Sequence, residues 1–325
     1  MDQQNRQMGQ ARATIELSIV VPVYNEENAL PIFMQRIRPV LESITQNYEL
    51  IFCMDPGRDR TRDIIEAEIA KDPRIRLLTM TRRWGQNACM MAGIELCSGD
   101  ACVIIDVDLQ DPPEIIAEMY KKWKHEGYNV VYGQRRTRKG ELASRRAVAW
   151  LGYWLINRIS EVPIPRNTGD FRLIDRKVIE GLRQLRETHG FLRGLIPYVG
   201  YRQTTILFDR EERKAGETKY NPVLGSLRHG WDGIVAFSIR PLSFVTAIGM
   251  VTAGLGFLMT LIYIGRKLIT GQAMLTGLGP IMLLVTLLGG VQLICFGIMG
   301  EYIGRIYEEV RERPRYMIAE RINFP

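Results

Sequence analysis

The chain has 325 residues, 46% hydrophobic and 24% charged, with 43 Lys and Arg against 36 Asp and Glu, for a net charge of +7. That length builds one large domain or two ordinary ones with a substantial core, and the basic balance favours an acidic partner: nucleic acid, anionic lipid or a phosphorylated substrate. Nucleic acid is set aside, because no DNA- or RNA-binding motif occurs and the basic residues gather beside apolar stretches.

The five cysteines at 53, 89, 97, 102 and 295 form no CxxC pair, and His125, His189 and His229 are scattered. A zinc site and a disulfide framework are both excluded, and the thiols read as reduced and structural. Residues 1–14 are polar and lack the apolar run of a signal peptide, so they read as a tail.

From there to residue 221 the pattern is that of one cytoplasmic domain. "LSIVVPVY" reads as a strand, followed by a helix over Glu27–Ser43. "YELIFCM" is a strand and "TRDIIEAEIAK" a helix; "IRLLTM" is a strand and "NACMMAGIELC" a helix. "ACVIID", "PEIIAEMYKKWKHEG" and "NVVYG" continue the series as strand, helix and strand. Short β-rich runs alternating with helical periodicity predict an α/β fold, a mostly parallel sheet flanked by helices. Ligands of such sheets sit beyond the carboxyl ends of the strands. Polar residues gather there: Pro22, Tyr24, Asn25 and Glu26 after the first strand, Asp55 after the second, Asp106 and Asp108 after the fourth. Neither G-x-G-x-x-G nor a P-loop motif occurs, which counts against a dinucleotide oxidoreductase and a P-loop NTPase.

In "DVDLQDPPE", Asp111 is expected to cap the next helix, with Pro112 at its first position and Glu114 completing a capping-box-like pattern. Asp106 and Asp108 lie two residues apart at a strand end, so alternation aims both at the cleft. A hard divalent cation, Mg²⁺ or Mn²⁺, offsets their repulsion and recruits a substrate diphosphate. Solvated turn acids are the plain alternative.

Residues 143–160, "ASRRAVAWLGYWLINRIS", mix Arg145, Arg146 and Arg158 with Trp150, Tyr153 and Trp154, the pattern of an amphipathic segment at the headgroup level. Residues 222–240 read as a juxtamembrane helix. Residues 241–265 and 276–300 are long and apolar enough to cross a bilayer, and the 301–325 segment reads as a basic tail by its Arg305, Arg311, Arg313, Arg315 and Arg321. Positive-inside reasoning then puts the tail, the large domain and both termini in the cytoplasm. Gly254, Gly256, Gly289 and Gly290 permit close helix packing and a homo-oligomer, a tetramer being one form.

Taken together, "SIVVPVYNEE", "RRWGQNACMMAGIELCSGD", "DVDLQDPPE", "NTGDFRLIDR" and "RKAGETKY" resemble the polyisoprenyl-phosphate glycosyltransferases, including dolichyl-phosphate mannose synthase and the GtrB-type bactoprenol glucosyltransferases. The resemblance covers about Leu17 to Tyr220 and implies a GT-A nucleotide-sugar domain, a divalent cation and inverting transfer of a hexose to a polyprenyl phosphate. Undecaprenyl phosphate as acceptor and UDP-glucose as donor are the first expectations, with mannosyl or aminosugar transfer as alternatives. Matched by position, Pro22, Tyr24, Glu26, Asp55 and Asp106 bind the nucleotide sugar. Asp106, Asp108 and Gln110 hold the metal, and Asp106, Asp108 and Asp170 carry catalysis. Arg135, Ser144, Arg145, Arg146, Arg172, Arg213, Thr218 and Lys219 meet phosphate or acceptor, with Gly216 in the same basic loop. The chain departs from the family pattern at Met54, where an acid is usual, and at Arg83, where Asn is common. Rival readings are a processive polysaccharide synthase, disfavoured by the lack of a Q-x-x-R-W motif, and a silent membrane-anchored nucleotide-sugar-binding protein.

Overall fold

The computed structural model describes residues 15–136, 168–185, 187, 192–211, 240–270 and 279–324. These fall into two compact units, a sheet domain that takes in the chain again from Pro314 onward, and a helical unit that ends at Arg313.

The sheet domain runs β1 (Leu17–Val23), α1 (Leu30–Ile44), β2 (Tyr48–Met54), α2 (Thr61–Ile69), β3 (Ile75–Met80), α3 (Gln86–Leu96), β4 (Ala101–Ile104), α4 (Ile115–Glu126), β5 (Val130–Arg135), β6 (Thr168–Asp175), α5 (Arg176–Gln184), α6 (Leu192–Val199) and β7 (Gln203–Phe208), and is completed by β8 (Ile318–Ile322). The eight strands are ordered β7-β5-β6-β4-β1-β2-β3-β8. β1 pairs in parallel with β2 and β4, β2 with β3, and β5 with β7. The expected mostly parallel sheet is present, and β6 and β8 run antiparallel within it.

Every residue of β1 and β2 is buried, as strands covered on both faces must be. Ile19, Val21, Phe52 and Val103 join Phe33, Ile37, Ile65, Ile116 and Met119 of α1, α2 and α4 in one cluster. Alternation sends Val20 and Cys53 to the opposite face, where each lies within 3 Å of where a side chain on Gly93 of α3 would begin, so that helix packs flush on the sheet. Cys53, Cys89, Cys97 and Cys102 are free and buried. Burial pushes the Cys53 and Cys89 thiols well up, which leaves them inert.

Two helix starts differ from the sequence reading. α1 begins at Leu30 rather than Glu27, because the Glu26 carbonyl accepts the Ala29 and Leu30 N–H groups in a turn and proline occupies the first helical turn. α4 begins at Ile115, with no side-chain cap. Asp111 therefore does not cap it: its carboxylate faces Arg135 at 3.2 and 3.3 Å.

β8 lies within the segment that the sequence presents as a basic tail. Its Glu320 pairs with Arg62, the Asn323 amide donates to the Pro73 and Ile75 carbonyls at 2.7 Å, and the Tyr316 hydroxyl donates to Glu95. The helical unit contains α7 (Arg240–Thr270) and α8 (Gly279–Val310). Leu242–Arg266 of α7, mean hydropathy 2.0, is long and apolar enough to span a membrane. Among the described residues no second helix meets that test.

Candidate active site

The carboxyl ends of β1, β2 and β4 open on one rim. Pro22 is tolerated inside the central strand β1 because the β4 ladder stops at Val20↔Ile104, so no partner strand needs its missing N–H on that side. Beyond β1, Asn25 turns the chain at φ 54, and its amide oxygen accepts the Arg58 N–H at 2.9 Å. Glu26 N–H donates to Thr61 Oγ1 at 2.8 Å, which ties this turn to the start of α2. Asp55 is buried, and its carboxylate accepts the Trp84 and Gly85 N–H groups at 3.0 and 2.7 Å. It thereby shapes the turn into α3, where Gly85 takes φ 94, a value that favours glycine. Arg83 stacks over the Tyr24 ring at 4.3 Å and Arg82 over Trp84 at 3.6 Å, giving this edge two cation–π pairs.

The acids after β4 occupy the centre. Gln86, the first residue of α3, donates its amide to Asp106 Oδ1 at 2.7 Å. Asp108 Oδ1 accepts the Gln110 N–H at 3.1 Å. Between them Leu109 takes φ 59 with its side chain 1% exposed, a left-handed leucine held by burial. The Gln110 side-chain oxygen accepts from Arg210, and its carbonyl accepts the Glu211 N–H at 3.1 Å. Gln110 is thus engaged by the segment that follows β7.

Strand register brings a fourth acid to the group. β4 and β6 pair antiparallel with Ile104↔Arg172. Continued two residues past the end of β4, that register brings Asp106 towards Asp170, whose charge acts on it. Burial, then the charges of Asp170, Asp111 and Asp108, push the Asp106 carboxyl up to about 8, against the opposing pull of Arg135. Asp111 is also raised, chiefly by burial. Asp170 goes the other way: burial pushes it up, but hydrogen bonds from Arg193 and the charges of Arg193, Arg172 and Arg135 outweigh that and hold it below the usual range.

The arginines around Asp170 play distinct parts. Arg193 of α6 grips both oxygens, Nε to Oδ1 at 2.9 Å and Nη2 to Oδ2 at 2.8 Å, the paired geometry for which guanidinium is suited. Arg135 lies across Gly169, where a β-carbon would stand 2.8 Å from its Nη2. Arg172, expected on the acceptor side, is 1% exposed. It donates to the Gly169 and Asp170 carbonyls of its own strand and faces the Tyr132 ring at 5.3 Å. It braces β6 from within through Nε and Nη2, while its buried Nη1 has no partner among the described residues.

Sequence reasoning passed over Gln86 and Arg193. Gln86 lies in the "RRWGQN" stretch already used for the resemblance, and Arg193 follows a segment with no strong motif. Ser144, Arg145, Arg146, Arg213, Gly216, Thr218 and Lys219 lie outside the described residues, as do the 143–160 and 222–240 segments. Among the described residues no three His, Cys, Asp or Glu side chains form a ready-made metal cage. Asp106 and Asp108 do present only hard oxygen donors, in an acid group whose crowding raises Asp106. That donor set fits Mg²⁺ or Mn²⁺ completed by substrate phosphates and water.

Glycosyl transferase family 2 matches residues 18–183. The chain is 42% identical over 306 residues to the uncharacterized glycosyltransferase YkcC of Bacillus subtilis (strain 168), covering 94% of each. It is 42% identical over 310 residues to the uncharacterized glycosyltransferase sll0501 of Synechocystis, covering 94% of this chain and 96% of that one. The SfII prophage-derived bactoprenol glucosyl transferase of Shigella flexneri is 38% identical over 313 residues, with 94% and 98% covered. The chain belongs to glycosyl transferase family 2, and its sheet domain is of the GT-A type.

Proposed function

We propose that this glycosyltransferase moves a hexose from a nucleoside-diphosphate sugar to a polyprenyl phosphate at a membrane surface, with glucose from UDP-glucose as the first candidate. The observation that carries the reading is the acid group Asp106, Asp108, Asp111 and Asp170 at the sheet's carboxyl edge, met from the neighbouring strand and helix by Arg135 and Arg193. Relatives called bactoprenol glucosyl transferase support the sugar and the lipid.

Asp106 and Asp108 would hold Mg²⁺ or Mn²⁺, which when bound supplies positive charge against the departing diphosphate. Gln86 orients Asp106 from α3, and the Tyr24–Arg83 edge borders the nucleotide side. The acceptor is a phosphate monoester with a second pKa of about 6, so it is mostly dianionic at neutral pH and attacks without a general base. Asp170 fits that chemistry: with both oxygens held by Arg193 it orients positive charge and does not collect a proton. Single in-line displacement then inverts the anomeric carbon.

The lipid is held by the bilayer, and α7 supplies an apolar anchor. We extend this to two crossings, residues 241–265 and 276–300, with both termini cytoplasmic. β8 supports it, because the chain re-enters the sheet domain after α8. An even number of crossings is needed to return to that side.

The test is incubation of membranes with labelled nucleotide sugars and polyprenyl phosphate, with and without Mn²⁺. Label is expected in lipid from one donor, lost after EDTA treatment and in Asp108→Asn. Failure of every donor to label lipid would overturn the reading.

A further inference from the structure

We propose that Arg36, on α1 and far upstream of the acids in sequence, is a positioning residue for the loop 106–114. The inference rests on the reading that Asp106 and Asp108 hold the divalent cation. Leu109 sits at φ 59, where the β-carbon crowds the carbonyl oxygen, so the loop is bent into a form that its surroundings must maintain. The buried Leu109 side chain holds it from the core side.

On the other side the hold comes from β7 and α1. The Glu211 N–H donates to the Gln110 carbonyl at 3.1 Å, so the end of β7 lies along the loop. Arg36 then clasps both partners. Its Nε and Nη2 donate to the two Glu114 oxygens at 2.7 and 2.8 Å. Its Nη1 and Nη2 donate to the two Glu211 oxygens at 2.8 and 2.5 Å.

Only a guanidinium has the donors and the fork to hold two carboxylates in this way. A single exposed ion pair contributes little. Here Arg36 is 22%, Glu211 31% and Glu114 52% exposed, so solvent screens the Glu114 arm, but four bonds join three segments. Without Arg36 the four bonds that tie Glu114 and Glu211 to α1 are lost. The like charges of the two carboxylates then draw Glu211 off Gln110 and free the loop opposite Leu109. Arg36 touches no reacting group and acts only through the loop.

The experiment uses the full-length chain in detergent. Mn²⁺ binding in the presence of UDP is followed by electron paramagnetic resonance of free Mn²⁺, and exchange of the 106–114 amides by mass spectrometry. Arg36→Ala is expected to weaken apparent Mn²⁺ affinity about tenfold, the scale seen when groups behind metal ligands are removed, and to speed exchange across the loop. Arg36→Lys, with one compact ammonium, falls between. Arg36→Ala with Glu211→Gln, which removes the like-charge pair, recovers part of the loss. Arg38→Ala, which removes one of the two cations on Glu68 of α2 and leaves Lys71 in place, leaves both readouts unchanged.

Mn²⁺ affinity within twofold of wild type, with unchanged exchange in Arg36→Ala, would overturn the proposal. Should wild type itself bind no Mn²⁺, the metal reading fails and the exchange rates alone decide the role of Arg36. If Arg36→Ala folds poorly, Glu211→Gln is read in its place, with a smaller shift of the same sign.

Discussion

Gly169→Ala adds one carbon at the centre of the arginine group. That carbon would stand 2.8 Å from Arg135 Nη2 and 3.2 Å from Cζ, against an ordinary contact that begins at 3.4 Å. The guanidinium, the free end of a flexible side chain, must retreat by roughly 0.6 Å. Its contacts to Asp111 are already long at 3.2 and 3.3 Å, so the retreat breaks them. Asp111 is 2% exposed and loses its hydrogen-bonded cation, keeping the charge of Arg210, which costs about 1–3 kcal/mol. Asp106 meanwhile loses the charge of Arg135, which opposes its upward shift. Displacing a positioned charge by up to ~1 Å lowers kcat/KM by about 10- to 100-fold. The assay is lipid labelling at varied donor concentration beside thermal unfolding. A glycine with room around it would behave oppositely, since Gly→Ala then stabilises by about 0.4–1 kcal/mol. A higher Tm with wild-type kcat/KM would refute the placement of Arg135.

Arg193→Ala strips two hydrogen bonds from Asp170, whose side chain is 14% exposed. Because Arg193 itself is 41% exposed, the expected loss is about 1–2 kcal/mol, below the value for a fully buried pair. Arg193→Lys should recover part of it, and a melting curve identical to wild type for the alanine variant would contradict the pairing. Ending the chain after Arg313 removes β8 and leaves the β3 edge open, so lower Tm and increased light scattering are expected; unchanged melting would show that β8 adds nothing. Burial pushes Asp72 up, but hydrogen bonds from the Arg74 side chain and N–H outweigh it and lower its pKa. Its contribution is therefore present above the unfolded value of about 4 and is lost as pH falls through the folded value. Asp72→Asn should cost about 1 kcal/mol at pH 7, with the gap to wild type closing in acid; a gap that stays constant with pH would refute the assignment.

What was legible in advance was whatever the local pattern dictates. The strand–helix alternation through β5 follows from apolar runs and turn residues, and the polar rim follows from where those runs stop. β6 escaped notice because Asp170, Arg172 and Asp175 interrupt its apolar pattern. Arg172 is buried all the same, since its charge is met by carbonyls of its own strand and by an aromatic ring. β8, "IAERI", is too short and charged to read as a strand until it finds the β3 edge.

Sequence by itself determined the layered α/β plan, the acids at its carboxyl edge and the apolar segments that follow, because each depends on side chains close together along the chain. Which acids and arginines face one another was decided only by the tertiary structure. The β4–β6 register sets Asp106 against Asp170, Arg135 takes Asp111 away from its helix, and Arg193 turns Asp170 into a fixed anion. These pairings join residues far apart in sequence, and the energy that selects them exists only once the strands are side by side and water has been displaced.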